Sequence, residues 1–204
     1  MTPGAQPQGY VLATHTSIGA AGVGDVADAY FVLAHQLIAD FSLRALDLWP
    51  PLAVGRRYAA ASWHSLQYCT NSSSAMTCGI KLFEAPLQSS GKILMLPRYA
   101  NGTDPFAPTL AVIVPRCIDS GAAFFGETAK FATISVQRVL TLQCSKGGFS
   151  VTLIGLPGEV VEVKALVTGG GAVVAASAPF PGVKNDSSRS TLYCVLEGGL
   201  FSCA

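Results

Sequence analysis

The chain has 204 residues, of which half are hydrophobic and only 12% are charged, and its 13 basic and 12 acidic residues leave a net charge of +1. This length suits a single domain, and the near-neutral charge argues against strong attraction to nucleic acid or to anionic membranes. Ordinary soluble domains are about 25% charged, so we expect much of the surface to be buried against copies of the same chain.

The N-terminal part is predicted to be a flexible arm followed by one helix. Residues 1–24 are rich in Gly, Ala, Pro and Thr and lack the basic stretch and apolar core of a signal peptide. From Asp25, a suitable N-cap, apolar residues recur at helical spacing between Val26 and Phe41. We therefore predict a helix over residues 25–40, with Asp25 and Asp28 in its first turn favouring the helix dipole.

From residue 41 onwards the pattern predicts β-structure within one domain that spans residues 25–204. The predicted strands cover 43–49, 58–69, 76–85, 92–96, 109–114, 132–144, 149–153, 161–167 and 191–196, with a short one near Leu200. Residues 58–85 form a predicted hairpin, and Arg138 interrupts an alternating strand, which indicates a bend, a bulge or an interface position. Eight to ten short strands predict a sandwich or barrel, and no uncharged apolar run is long enough for a transmembrane helix.

The six cysteines allow two interpretations. Cys69 and Cys78 share one spacing with Cys194 and Cys203, while Cys117 and Cys144 lie further apart. An even number suits a disulfide framework in a secreted protein, whereas free cysteine behaves as a small buried hydrophobe. Because Cys78 and Cys144 fall on apolar faces of predicted strands, we expect reduced, buried thiols.

All three asparagines of the chain begin N-x-S/T sequons, at Asn71, Asn101 and Asn185. Such sequons are acceptors for N-glycosylation in secreted proteins, and they keep a secretory domain open as an alternative. Asparagine also favours turns, where Ser, Thr and Gly collect, so chance offers a competing explanation.

No catalytic, cofactor-binding or metal-binding site is predicted. The nearest approach to a catalytic pattern is Asp119-Ser120-Gly121 with His64 as base and Asp104 as acid, in the manner of a chymotrypsin-like hydrolase. Ile118 replaces the glycine that would precede the Asp-Ser pair, so we interpret Ser120 as a loop residue and His64 as a strand residue. The Arg56-Arg57 pair is interpreted as solvated or ion-paired rather than as a phosphate contact.

The three histidines, His15, His35 and His64, have no cysteine at ligand spacing. Phosphate-binding glycine motifs are also absent from the sequence.

Residues 55–86 resemble the central hairpin of jelly-roll coat proteins from small icosahedral RNA viruses. The matching features are a basic and tyrosine-containing entrance at Arg56-Arg57-Tyr58, a small polar turn at 71–75, and a glycine-containing strand at 78–82. Residues 158–168 are similar to the closing strand of that fold, and the residue pattern at 58–66 most resembles that of tymovirus-like coat proteins. The chain lacks the strongly basic arm of many such proteins, so the resemblance implies weak contact with RNA at most.

The resemblance implies an all-β, eight-stranded jelly-roll sandwich with an N-terminal arm and one short helix. The implied function is a structural capsid protein that assembles in the host cytoplasm, as many copies in a closed shell around an RNA genome, with no enzyme activity, cofactor or membrane partner. The alternative is a secreted or virion-surface, disulfide-bonded and N-glycosylated β-sandwich binding domain. A serine hydrolase that uses His64 and Ser120 is a third hypothesis.

Overall fold

The computed structural model describes residues 9–18, 27–69, 73–75, 77–85, 91–98, 108–167, 172–182 and 189–204. Within these ranges the chain is all-β with one short α-helix, which confirms the predicted class. The first half contains β1 (Tyr10–Ile18), β2 (Ala27–His35), β3 (Phe41–Arg44), β4 (Arg57–Ser62), α1 (Trp63–Tyr68), β5 (Ser73–Ser74), β6 (Lys81–Glu84) and β7 (Lys92–Leu96). The second half contains β8 (Thr109–Pro115), β9 (Ala123–Glu127), β10 (Val139–Ser145), β11 (Gly148–Gly155), β12 (Val160–Leu166), β13 (Ala172–Pro179), β14 (Ser190–Glu197) and β15 (Leu200–Cys203).

These strands form several antiparallel sheets. A five-stranded sheet has the order β1-β2-β8-β4-β6, and two four-stranded sheets have the orders β10-β11-β14-β15 and β5-β13-β12-β9. A two-stranded ribbon pairs β3 with β7. The strand order places the hydrophobic strands β2, β8 and β4 inside the five-stranded sheet.

The five-stranded sheet is buried on both faces because its central strands are apolar at nearly every position. Ala29 and Phe31 of β2 pack into one hydrophobic cluster together with the two four-stranded sheets. Tyr30 and Val32, their neighbours in the same strand, point into a second cluster with the β3–β7 ribbon. The period of two along a strand therefore divides one apolar segment between two cores.

The predicted helix over residues 25–40 is wrong: residues 27–35 form β2. A nearly continuous apolar run satisfies helical spacing as well as strand spacing, and β2 lies between β1 and β8, where both of its faces need apolar side chains. Asp28 accordingly caps no helix, and its carboxylate accepts a hydrogen bond from the Ser17 hydroxyl at 2.6 Å. Asp25 lies outside the described residues.

The predicted arm over residues 1–24 is wrong where the structure describes it, because residues 10–18 form β1 and pair with β2 along nine consecutive positions. The predicted hairpin is confirmed in part, since β4 and β6 are antiparallel neighbours. However, residues 63–68 form α1 rather than a continuation of the strand. Residues 132–138 form turns, so the strand predicted from residue 132 begins only at Val139.

Candidate functional site

All six cysteines are paired, so the expectation of reduced thiols is wrong. The disulfides join Cys69 to Cys78, Cys117 to Cys144, and Cys194 to Cys203. The Cys194–Cys203 bridge links directly opposed positions of β14 and β15. The Cys117–Cys144 bridge joins the segment after β8 to β10, and thereby ties the five-stranded sheet to a four-stranded one.

Lys164 of β12 is a buried cation that fastens α1 to the neighbouring sheet. Its side chain is 3% exposed, and its ammonium donates hydrogen bonds to the carbonyl oxygens of Leu66, Gln67 and Cys69 at 2.7, 3.0 and 2.9 Å. A carboxylate oxygen of Glu162 lies 3.3 Å away. Because a lysine at a helix C-terminus satisfies carbonyls that have no intrahelical partner, this group holds the helix end and the Cys69–Cys78 loop in place.

Arg138 is the centre of a partly buried ion-pair network. Its guanidinium donates to Glu159 at 2.6 and 2.9 Å, to Glu127 at 3.0 Å, and to the carbonyl of Ile154 at 2.8 Å. Lys130 adds a second cation at 2.9 Å from Glu127. The hydrogen bond from Arg138 is the main reason that the pKa of Glu159 falls from 4.5 to about 2. Arg138 lies in the turn immediately before β10, and the register of β10 shifts between Val139 and Thr141. The irregularity is therefore near the predicted position but not at Arg138 itself.

Arg138, Glu159 and Ile154 of this network line an open groove of about 500 Å³. Its lining includes Lys130, Gln137, Leu156 and Arg189 beside the network residues. The charged residues of this lining are three cations, Lys130, Arg138 and Arg189, and one carboxylate, Glu159, so positive charge exceeds negative charge in the groove. Among the described residues no cluster of His, Cys, Asp and Glu is suited to holding a metal ion.

A strongly exposed apolar feature is the segment of residues 45–54, which we name the Trp49 loop. Trp49 is 80% exposed and Val54 is 61% exposed, although Leu48 and Leu52 of the same loop are buried in the second core cluster. Two buried tyrosines hold the loop from below. The Tyr30 hydroxyl donates to the carbonyl of Pro50 at 2.9 Å, and the amide of Ala53 donates to the Tyr58 hydroxyl at 3.2 Å. Burial raises the pKa of both phenols, so both hydroxyls stay protonated and available for these bonds.

The residues of the hydrolase hypothesis do not form a catalytic group. Ser120 is 5% exposed, and its hydroxyl bonds with the carbonyl of Gly148 at 3.2 Å and the amide of Ala122 at 3.3 Å. His64 is exposed on α1, where its ring lies against Trp63. No hydrogen bond joins these two described residues, and Asp104 lies outside the described part of the chain.

The remaining predicted positions divide between structural roles and residues that are not described. The Arg57 guanidinium donates to the carbonyl of Ile118, so this hydrogen bond goes to the backbone and not to the solvent or the carboxylate that the sequence interpretation expected. The three sequon asparagines, Asn71, Asn101 and Asn185, lie outside the described residues. Sequence analysis missed the Trp49 loop, although its uncharged Leu48–Ala53 stretch with two prolines was a usable signal for an exposed apolar turn.

Comparison with known proteins finds no match: no protein-family model, curated protein or solved structure is significantly similar to this chain. Within the described ranges, no helix has the length and apolar character needed to cross a membrane.

Proposed function

We propose that the chain is a disulfide-bonded, N-glycosylated β-sandwich domain of a secreted protein or virion surface, and that it acts by binding a partner. The observation that carries this proposal is the pairing of all six cysteines in three disulfides. Structural disulfides form and persist in oxidising compartments and are rare in the reducing cytoplasm. Three disulfides in one chain therefore favour an oxidising compartment for this protein.

The positions of the sequons support the same compartment. Asn71, Asn101 and Asn185 fall, along the chain, between α1 and β5, between β7 and β8, and between β13 and β14, so none interrupts a described strand. A glycan needs an acceptor outside the core of the fold. Three sequons and three disulfides in one chain of 204 residues are the combination expected of a domain made in the secretory pathway.

The Trp49 loop supports a binding role. A tryptophan that is 80% exposed contributes nothing to the core, whereas tryptophan is among the residues that dominate binding energy at interfaces. The hydrogen bonds from Tyr30 and to Tyr58 hold the loop in one conformation, and a preformed loop loses less entropy when it binds.

Peptide mapping by mass spectrometry without reductant tests the proposal on protein purified from its natural source or secreted by eukaryotic cells. We expect three linked peptide pairs, Cys69 with Cys78, Cys117 with Cys144 and Cys194 with Cys203. We also expect glycosidase treatment to remove mass and to convert each occupied asparagine to aspartate.

Asparagine-to-glutamine variants at positions 71, 101 and 185 are the matched controls, because each removes one acceptor without a change of charge. Free thiols together with three unmodified asparagines in the natural protein would contradict the proposal. Different cysteine pairs would contradict the structural basis on which it rests.

A capsid subunit that assembles into a closed icosahedral shell around RNA is the second candidate. The low proportion of charged residues favours it, because a neutral surface permits repeated burial against other copies. The jelly-roll topology belongs to this candidate. Light scattering on the purified protein distinguishes the candidates, since a shell requires a homogeneous particle of many copies.

A further inference from the structure

The edge strands of the described sheets differ in whether they are protected against pairing with another chain. An edge strand carries unpaired backbone amides and carbonyls, and monomeric proteins protect such edges with charges, prolines, bulges or short length.

Most of the edges are protected. β6 has only four residues and carries Lys81 and Glu84, β5 has two residues, and the register of β10 is irregular after Val139. β15 has four residues and is fastened to β14 by a disulfide, and the five residues of β9 are all buried. In the β3–β7 ribbon the register shifts at Arg44, which lies opposite Lys92.

β1 has none of these devices. It pairs with β2 over nine consecutive positions without a register shift, and it contains no Lys, Arg, Asp, Glu or Pro. β10 comes near β1 without pairing with it, and the β1 side chains remain accessible, with Leu12 60% and Tyr10 48% exposed. Among the described strands, β1 is the one long, regular and uncharged edge.

We propose that β1 pairs with β1 of a second copy of this chain, antiparallel and across a two-fold axis at Thr14. The occupant must be an extended strand, because the exposed groups are the alternating donors and acceptors of a strand edge. An axis at the middle residue of Tyr10–Ile18 gives the greatest overlap that two copies can have. The two five-stranded sheets then become one continuous ten-stranded sheet.

The sequence of β1 is complementary to itself in this register. Thr14 lies opposite Thr14, Leu12 lies opposite Thr16, and Ala13 lies opposite His15, so no two like charges meet. Pairs of threonine residues and pairs that include β-branched residues stabilise neighbouring strands. Leu12, Thr14 and Thr16 share one face of β1 because strand side chains alternate, and Leu12, which faces Leu33 of β2 within its own chain, would also lie beside Thr16 of the second copy.

This inference goes beyond the proposed function and is independent of it, since neither disulfides nor glycans enter the pairing. Sedimentation velocity of the purified chain at increasing concentration provides the test. We expect a dimer, and we expect Thr14→Lys to weaken dimerisation by about tenfold or more, because it places two like charges on the axis. Thr14→Glu is expected to do the same.

Mixing the two variants tests directly whether residue 14 of one copy lies opposite residue 14 of the other. Chains with Thr14→Lys and chains with Thr14→Glu should form a mixed dimer more tightly than either variant dimerises alone, because opposite charges then meet on the axis. Leu82→Lys on β6, the other edge of the same sheet, is the matched control and should leave dimerisation unchanged. Thermal unfolding of each variant verifies that it is folded.

A wild-type chain that is monomeric at every concentration would overturn the inference, and with three intact disulfides it would leave the proposed function standing. A dimer that is insensitive to both Thr14 variants would overturn it as well. Hydrogen exchange supplies the remaining check on the β1 amides that point away from β2. If these amides are protected in a monomer, the chain covers its own edge, which also contradicts the inference.

Discussion

At the scale of single residues, two cations that are largely withdrawn from solvent supply hydrogen bonds that apolar packing cannot. Lys164 bonds with three carbonyl oxygens at the end of α1, and Arg138 bonds with two carboxylates and a carbonyl. A buried charge is tolerated only when its hydrogen bonds are satisfied. Each cation should therefore affect the free energy of unfolding more than an exposed residue does.

Lys164→Met is expected to lower the free energy of unfolding by about 3 kcal/mol, because it leaves three carbonyl oxygens without their charged donor. Lys81→Met on exposed β6 is the matched control and should change stability by no more than about 0.5 kcal/mol. Urea denaturation of both variants measures the difference. If the two variants changed the free energy of unfolding equally, the hydrogen bonds from Lys164 to the carbonyls at the end of α1 would not contribute to stability.

Glu159 should make the free energy of unfolding depend on pH in the acid range. Its pKa falls from 4.5 to about 2 in the folded chain because Arg138 donates hydrogen bonds to it. A lowered pKa stabilises the folded state fully above pH 4.5, and this contribution is lost as the pH falls towards 2. Glu159→Gln should therefore show a smaller loss of stability between these pH values than the wild type does. Glu197→Gln, at an exposed position, should follow the wild type in urea denaturation at each pH.

At the scale of elements, the Trp49 loop shows how a core supports an exposed segment. The loop buries Leu48 and Leu52 and accepts or donates hydrogen bonds at Tyr30 and Tyr58, yet it leaves Trp49 in solvent. The residues that hold the loop and the residue that it presents are therefore different. Substitutions of the two tyrosines should therefore lower the free energy of unfolding, whereas substitution of Trp49 should not.

Tyr30→Phe and Tyr58→Phe are each expected to lower the free energy of unfolding by about 1 kcal/mol through the loss of one buried hydrogen bond. Trp49→Ala should change it by no more than about 0.5 kcal/mol, because the indole is exposed. Chemical denaturation tests all three variants. A large effect of Trp49→Ala would contradict the exposed position of the side chain.

At the scale of the whole molecule, one disulfide connects elements that lie far apart along the chain and the other two are local. The Cys117–Cys144 bridge closes a separation of 27 residues and joins two sheets, whereas the other two bridges close separations of 9 residues. Closing a longer loop removes more entropy from the unfolded chain. The three bridges should therefore contribute unequally to the free energy of unfolding.

Replacing Cys117 and Cys144 together by serine should cost about 1 kcal/mol more than replacing Cys194 and Cys203 together, from the difference in loop length. Thermal and urea unfolding under non-reducing conditions compare the two double variants directly. A larger loss for the Cys194–Cys203 variant would mean that native-state contacts of the short bridge outweigh the entropy of the unfolded chain.

Local patterns predicted several elements closely and failed where burial is two-sided. The strand predicted at residues 92–96 coincides with β7, and the one predicted at 109–114 ends one residue short of β8. Prolines in the sequence mark the ends of both predicted strands. β2 was predicted as a helix because an apolar run that is buried on both faces does not alternate between apolar and polar residues, so helix and strand spacing fit it equally. β13 was missed because its Ala-rich sequence is typical of a loop.

The amino-acid sequence by itself determined the all-β class, the low charge and the number and spacing of the cysteines. Only the tertiary structure decided which cysteines pair, which strands lie at sheet edges, and that Lys164 and Arg138 are buried among carbonyls and carboxylates. The physical reason is that strand signals depend on neighbouring residues, whereas disulfides, ion pairs and sheet edges depend on segments that are distant in the chain. Those distant contacts carry the proposals made for this protein.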